Sequence, residues 1–283
     1  MSNNNKLEIK KIYVDTRFKT ADSKSDTDLN IELPRTFNVP DGVVAYIDDI
    51  VIPISFSTVD SRNNNLYIKF LYDGFYYYKQ LTMDSKNYSG TTFAEALKTK
   101  LNAAIVPYKL NFETTYDYTD NLLTIKVNDT RPVQNTPLVV EFLSDEELKT
   151  GAYSSTPISK PKTLNQILRI TKTMVFVGAT SQNKIYIDLH TTRNLYLTSS
   201  ALASYNIVSN FGNDTIIKKI PVRAGFNEML FDEGADGMDY LDVSRRTLRY
   251  IDFKLVDSYF NVVDLRNNHF SFSIYLKLNG KTI

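Results

Sequence analysis

Hydrophobic residues recur at every second position over many short segments of this chain. The clearest case is the segment 270–278, where each even-numbered residue from Phe270 to Leu278 is apolar and Ser, Tyr or Lys stands between them. Five further segments show the same alternation: 29–33, 66–70, 123–127, 185–189 and 251–255. A period of two is typical of a strand with one buried face. The pattern therefore predicts an all-β protein.

Two other features refine this β prediction. Segment 43–56 is apolar at most positions, which predicts a strand covered on both faces. The pair Asp120-Asn121 separates segments 110–118 and 122–127, and Asp and Asn favour tight turns because they tolerate left-handed backbone. A hairpin is predicted there.

One segment has helical periodicity. In 91–104, Phe93, Leu97 and Leu101 are spaced four residues apart, and Thr92 with Glu95 fits a capping box. Shorter helices are predicted at 144–149 and 199–208, and the polar segment 150–163, with two prolines, is predicted to be a loop or linker. Many strands with one clear helix indicate a β-sandwich that carries a small α/β insertion at about residues 72–163.

Residues 1–28 are predicted to form an N-terminal arm, and residues 29–283 the folded domain. The tract 19–28 has almost no apolar side chain, so it has little burial to offset the entropy of ordering. Ile12, Tyr13 and Val14 have strand propensity and are predicted to add to the sheet edge of a neighbouring subunit. The alternative interpretation is a plain flexible tail.

Composition excludes several classes of function. The net charge is +1, so the chain has no general field that would attract a nucleic acid backbone or an anionic membrane surface. There is no cysteine, hence no disulfide, thiolate metal site or cysteine nucleophile. No apolar run approaches the roughly 20 residues of a membrane-spanning helix. We expect no specific nucleic acid partner and no membrane span.

Catalytic and metal-binding motifs are not found. His190 and His269 are the two histidines, and neither lies in a hydrolase or zinc-binding motif. The acidic segment 232–239 does not match a calcium-binding loop and is interpreted as a solvated turn. We therefore expect a non-enzymatic protein with no catalytic residue, no metal and no cofactor.

Two clusters are candidates for contact with partners. Tyr76, Tyr77 and Tyr78 follow one another, and aromatic side chains with polar tips suit interfaces. Their alternative interpretation is a half-buried strand with tyrosines on its outer face. Arg245 and Arg246 form a small basic cluster suited to surface ion pairs or subunit contacts.

The order of these patterns resembles that of a known family, the penton (minor capsid) proteins of Polinton-like viruses, virophages and adintoviruses. Asp28–Pro34 is similar to the opening "F-x-I-x-L-P" strand of that family. Lys86–Ser89 precedes a helix that contains Leu101-Asn102, as a "G-x-Y-s" element does in the family, although Lys86-Asn87 replaces the usual glycine region. Segment 217–222 resembles an "I-P-V" element, and the last two strands resemble the closing strands of a jelly roll.

This resemblance implies a single jelly roll, a structural role in the virion, and homopentamers at the fivefold vertices of an icosahedral capsid. Its partners would be further copies of the chain and a double jelly-roll major capsid protein, with a vertex spike or fibre as a further partner. The alternative is a carbohydrate- or receptor-binding β-sandwich module, in which Tyr76–Tyr78 would form the stacking platform.

Overall fold

The computed structural model describes residues 9–131, 136–153, 156–204, 215–234 and 240–278. It is mostly β, with 46% strand and 13% helix, which confirms the all-β prediction. The chain divides into two compact units. We call Met1–Phe56 with Thr192–Ile283 the terminal unit and Ser57–Thr191 the inserted unit.

The described strands of the terminal unit form two antiparallel sheets. Its strands are β1 (Lys10–Asp15), β2 (Asp28–Asn38), β3 (Val43–Pro53), β11 (Asn194–Thr198), β12 (Ile216–Pro221), β13 (Met229–Asp232), β14 (Leu241–Asp242), β15 (Thr247–Val256) and β16 (Ser271–Leu278). The first sheet has the order β1-β16-β3-β13, with β14 also paired to β3, and the second has the order β12-β11-β15-β2.

The strand pairs of the terminal unit are nested. If the two-residue β14 is set aside, the first strand pairs with the last (β1 with β16) and the second with the last but one (β2 with β15). The third strand, β3, pairs with β13, and the innermost pair is β11 with β12. Two further pairs, β16 with β3 and β11 with β15, join these pairs into the two sheets.

Both sheets of the terminal unit contribute to a single hydrophobic core. Leu29 and Ile31 from the second sheet pack in the same cluster as Ile274 from the first. Phe253 and Phe272 meet edge to face across it, with ring centroids 4.9 Å apart. The predicted alternation is confirmed in 251–255, where Ile251, Phe253 and Leu255 are buried. In 29–33 Leu29 and Ile31 are buried and Leu33 packs partly against the core.

The apolar pattern of segment 43–56 predicts a strand covered on both faces. In the structure, β3 instead changes the face that it turns to the core partway along its length. Its core residues are Val43, Ala45 and Ile47 before Asp48-Asp49, but Ile50 and Ile52 after them. The core residues change from odd-numbered to even-numbered positions because the register with β16 shifts at this point and Asp49 has a φ of 52°. A β-bulge therefore explains an apolar pattern that is not a simple alternation.

Strand β16 departs from its predicted pattern at two positions. Leu278, which shares the predicted apolar face, is 43% exposed at the end of the strand. Ser273, expected to be exposed on the outer face, is only 3% exposed, because β1 and β3 flank it through Tyr13 and Asp48.

The predicted N-terminal arm is wrong for the described residues from Ile9 onward. Ile12 and Val14 pair with β16 of the same chain, so β1 belongs to the chain's own sheet. The polar tract that follows is ordered by hydrogen bonds instead of apolar burial. Thr20 N donates to Asn30 O (2.9 Å), and Asn30 N donates to Ser23 Oγ (2.9 Å).

The inserted unit has two sheets and one long helix around its own core. Its elements are β4 (Asn65–Tyr72), β5 (Phe75–Thr82), α1 (Gly90–Ile105), β6 (Leu110–Asp117), β7 (Leu122–Asp129), β8 (Val139–Phe142), α2 (Asp145–Thr150), α3 (Asn165–Leu168), β9 (Met174–Val177) and β10 (Thr180–Tyr186). The sheets have the orders β5-β4-β8-β9 and β10-β7-β6, and the latter contains the predicted 110–127 hairpin. This unit is wider than the predicted 72–163, because β4 and β10 pair with strands inside that range.

The helix predictions met different outcomes. Helix α1 matches 91–104, but the capping box is formed by Ser89 and Thr92, since Ser89 is the last extended residue before the helix. Helix α2 matches the predicted 144–149 to within one residue at each end, and Ser144 is its N-cap. The described part of 199–208, residues 199–204, forms turns instead of a helix, and residues 205–208 lie outside the described residues.

Candidate interaction surface

The tyrosine cluster of β5 does not form one continuous surface. Tyr77 faces the core of the inserted unit and stacks on Phe70, with ring centroids 5.6 Å apart. Tyr76 and Tyr78 point to the opposite face, where they are 53% and 41% exposed. Alternation along the strand thus separates the middle tyrosine from its neighbours.

Tyr76 and Tyr78 begin two cross-strand rows on the outer face of sheet β5-β4-β8-β9. Residues directly opposite each other in antiparallel strands share a face and touch. The first row is Tyr76, Leu71, Val139 and Val177. The second row is Tyr78, Lys69, Glu141 and Val175. We call these eight residues the two-row face.

The two-row face is mainly apolar and carries no net charge. Val177 is 58% exposed, more than Tyr76 in the same row. In the second row Lys69 Nζ lies 3.0 Å from Glu141 Oε2, and the same ammonium lies 4.6 Å from the centroid of the Tyr76 ring. Partial burial favours a lower pKa for Lys69, but the hydrogen bond and charge of Glu141 outweigh it and the pKa is raised. Lys69 therefore stays charged and paired at neutral pH.

The chain itself covers the adjoining part of this sheet. Tyr67 lies beside the second row, and the ring of Tyr153 meets it edge on at a centroid distance of 4.8 Å. Tyr153 also meets Tyr78 at 5.8 Å. Leu143 and Leu148 complete this small cluster. Burial raises the pKa of both the Tyr67 and the Tyr153 phenol. The two-row face is thus the part of the outer surface that this cluster leaves open.

The other sheet of the same unit has a different outer face. Three of its cross-strand rows consist only of polar and charged residues: Asn111, Asn128 and Thr180; Glu113, Lys126 and Gln182; Thr115, Thr124 and Lys184. A fourth row, at the end of the strands, has Asp117, Leu122 and the exposed Tyr186. A face that is polar in three of its four rows is mostly well solvated, whereas exposed contiguous apolar surface is characteristic of interaction sites. The two-row face is therefore the candidate site in this unit.

The remaining predicted interface residues lie in the terminal unit and have different roles. Val14 is only 3% exposed and Ile12 packs partly against the core, whereas Tyr13 is 75% exposed. Arg246 donates to the carbonyl oxygens of Ala201 and Ala203, so it is a structural residue.

Arg245 has a separate contact. Its Nη2 lies 2.7 Å from Asp41 Oδ2 in an exposed ion pair. Tyr13 and Arg245 are thus the predicted terminal-unit residues that remain available to a partner.

The two histidines both lie at exposed positions. His190 is exposed, and its backbone N–H donates to the Asp188 carboxylate. His269 is exposed as well, with Nδ1 3.3 Å from Asp26 Oδ1. No cluster of three or more metal-binding side chains occurs among the described residues, and residues 235–239 of the acidic segment lie outside them. None of the helices in the described ranges has both the length and the apolarity needed to cross a bilayer.

Sequence reasoning missed most of the two-row face, because its strands are distant in sequence. Segments 139–142 and 174–177 do not show simple alternation, because both have apolar residues at odd and even positions. Apolar residues at both odd and even positions predict a strand that is covered on both faces. The sequence therefore contains a pattern that predicts these two strands, but it does not contain the register that aligns the residues of the two rows.

No known protein-family model matches this chain, and a search of curated proteins found no significantly similar sequence.

Proposed function

We propose that this chain is a structural capsid protein, a penton that assembles as homopentamers at the fivefold vertices of an icosahedral virion. The observation that carries the proposal is the nested strand pairing of the terminal unit. A long antiparallel ribbon folded at its middle has this pairing, and rolling the ribbon into a sandwich adds the contacts of β16 with β3 and of β11 with β15. This pairing supports the proposal that the terminal unit is a jelly roll, an architecture common in viral capsids.

The position of the inserted unit fits this proposal. It enters between β3 and β11, near the middle of the ribbon, and leaves every nested pair intact. A capsid role also requires partners other than the chain itself. The proposed partners are a double jelly-roll major capsid protein and a vertex spike or fibre, which agree with the sequence resemblance described above.

Mass photometry of the purified chain tests this proposal. We expect a species of five copies, and negative-stain micrographs with fivefold rings. The mass of one chain is 32.4 kDa, so a pentamer is well separated from smaller species. A protein that remains monomeric at micromolar concentration in moderate salt contradicts the penton proposal.

The alternative, a carbohydrate- or receptor-binding module, is tested by the same measurement. A jelly roll would be compatible with both functions, because this architecture also occurs in lectins. The proposed stacking platform is reduced to Tyr76 and Tyr78, because Tyr77 is turned into the core. A monomer that binds glycans and loses binding on Tyr76→Ala would favour this alternative.

A further inference from the structure

The two-row face is complementary in size and charge to a second copy of itself in which the order of the four strands is reversed. Its first row runs from the large Tyr76 through Leu71 and Val139 to the small Val177. Its second row has Tyr78 and Val175 at the ends, and between them Lys69 on β4 and Glu141 on β8. Large residues thus stand on one edge and small ones on the other, and the two charges have opposite signs.

We propose that the two-row face binds the same face of a second copy of this chain, through a twofold axis parallel to the strands and midway between the two faces. This rotation reverses the order of the strands but preserves the rows. It places Tyr76 opposite Val177 of the other copy, and Leu71 opposite Val139. In the second row it places Lys69 opposite Glu141 twice, once on each side of the axis.

The other in-plane twofold axis, perpendicular to the strands, does not give this match. It exchanges the rows, so Tyr76 would face Tyr78 and Lys69 would face Leu71. A charged ammonium would then be buried against an aliphatic side chain, at a cost in desolvation. The axis parallel to the strands is therefore selected by the chemistry of the two rows. The resulting contact is isologous, which means that both copies contribute the same surface patch.

The expected contact is weak. Eight residues are fewer than the roughly 20–30 that each partner contributes to a standard stable interface. We expect a dissociation constant of about 10 to 1,000 µM, and tighter association if rings present several such faces together. This inference is independent of the penton proposal, since it predicts pairing of chains or of rings and not the ring itself.

Sedimentation velocity over a concentration series, up to roughly 1 mM, tests the pairing. The variant Val177→Lys places an ammonium in the interface twice and should weaken association about tenfold or more. The matched control is Val106→Lys, an exposed valine of the same unit outside the two-row face, which should leave association unchanged. Wild-type protein that does not pair, or pairing that Val177→Lys leaves intact, would overturn the inference.

A mixing experiment tests the twofold register. Lys69→Glu has two carboxylates in the centre of its face, and Glu141→Lys has two ammonium groups, so each variant should repel its own copies. Mixed together, the two variants form a heterodimer in which both facing pairs are attractive, and association should return. Circular dichroism melts show that each variant is folded. If two folded variants fail to associate on mixing while wild type associates, the proposed register is wrong.

The outcomes also separate this inference from the penton proposal. Pentamers whose pairing is unaffected by Val177→Lys would refute the twofold contact and leave the penton standing. A dimer that Val177→Lys dissociates, with no pentamer at any concentration, would refute the penton and support the contact.

Discussion

Asp49 reverses the side of β3 that faces the core. Its φ of 52° lies in the left-handed region, which most residues other than glycine, asparagine and aspartate avoid. Tyr275 on the neighbouring strand donates its hydroxyl to Asp49 Oδ2 at 3.1 Å. The bulge allows both halves of β3, before and after this residue, to send alternate apolar side chains into one core.

Substitution at Asp49 should therefore report on backbone conformation. We expect Asp49→Val to lower the free energy of unfolding by about 1–2 kcal/mol, because a β-branched residue is strained in the left-handed region. Asp49→Asn should be nearly neutral, since asparagine tolerates this conformation and keeps an acceptor for Tyr275. Urea denaturation measures both. Equal stabilities for the two variants would show that the bulge does not require a positive φ.

Asp252 connects a loop to the second sheet of the terminal unit through its carboxylate. Ser200 N donates to Oδ2 at 2.9 Å, and Ala201 N donates to Oδ1 at 3.0 Å. Burial alone would raise the pKa of Asp252, but the hydrogen bonds from Ser200 and Ala201 outweigh it and the pKa is lowered. The ionised carboxylate is therefore the form that stabilises the fold.

This lowered pKa predicts a pH dependence of stability. A carboxyl group with a lowered pKa in the folded state stabilises the protein above its unfolded pKa, about 3.9, and the contribution is lost as pH falls through the folded pKa. Asp252→Asn should thus have a lower Tm than wild type at pH 7, with a difference that shrinks below about pH 4. Asp120→Asn, at an exposed turn position, is the control. A Tm difference that stays constant with pH would contradict this account.

Strand β1 shows how an element gains order from its context. Its residues alternate between the core and the outer surface, and Thr16 extends the connection, since its backbone N–H donates to Phe270 O (3.1 Å). Composition alone suggested an arm, because the following tract is polar and buries little. Composition gives no information about the hydrogen bonds between that tract and β2. It also gives no information about the edge of β16, with which β1 pairs in the folded chain.

A matched pair of variants tests the position of β1. Val14→Ser should lower the free energy of unfolding by about 1–3 kcal/mol, because it removes a buried apolar side chain and leaves a hydroxyl in the core. Tyr13→Ser, on the opposite face of the same strand, should change it by less than about 0.5 kcal/mol. Thermal melts of the two single variants make the comparison. Equal melting temperatures would indicate that β1 does not pack on its own chain.

Sequence periodicity predicted elements better than it predicted their partners. Strands β7, β15 and β16 were recognised because one face of each is apolar, and α1 because its apolar residues recur at a helical period. The two-row face was not recognised, since it depends on the register among four strands between residues 65 and 177. Alternation identifies the face of each residue, but register depends on which strands become neighbours.

At the scale of the whole molecule, the chain is organised as a nested sandwich interrupted by a second unit. The insertion separates β3 from β11 in sequence, yet both strands lie in the terminal unit. Each unit has its own hydrophobic cluster, and sheet pairing among the described strands stays within a unit. An independent core is the physical requirement for a unit to fold alone.

The segment Ser57–Thr191, expressed alone, should therefore unfold in one cooperative transition. Its sheets and α1 enclose a core in which Phe112, Phe142 and Phe176 are fully buried, with the rings of Phe142 and Phe176 5.2 Å apart. Phe142→Ala should lower the free energy of unfolding of the isolated segment by about 3–5 kcal/mol. Tyr118→Ala, at an exposed position in the β6–β7 turn, should have little effect. Calorimetry and near-ultraviolet circular dichroism provide the measurement. A segment without a cooperative transition, or one that Phe142→Ala does not destabilise, would show that this core forms only within the full chain.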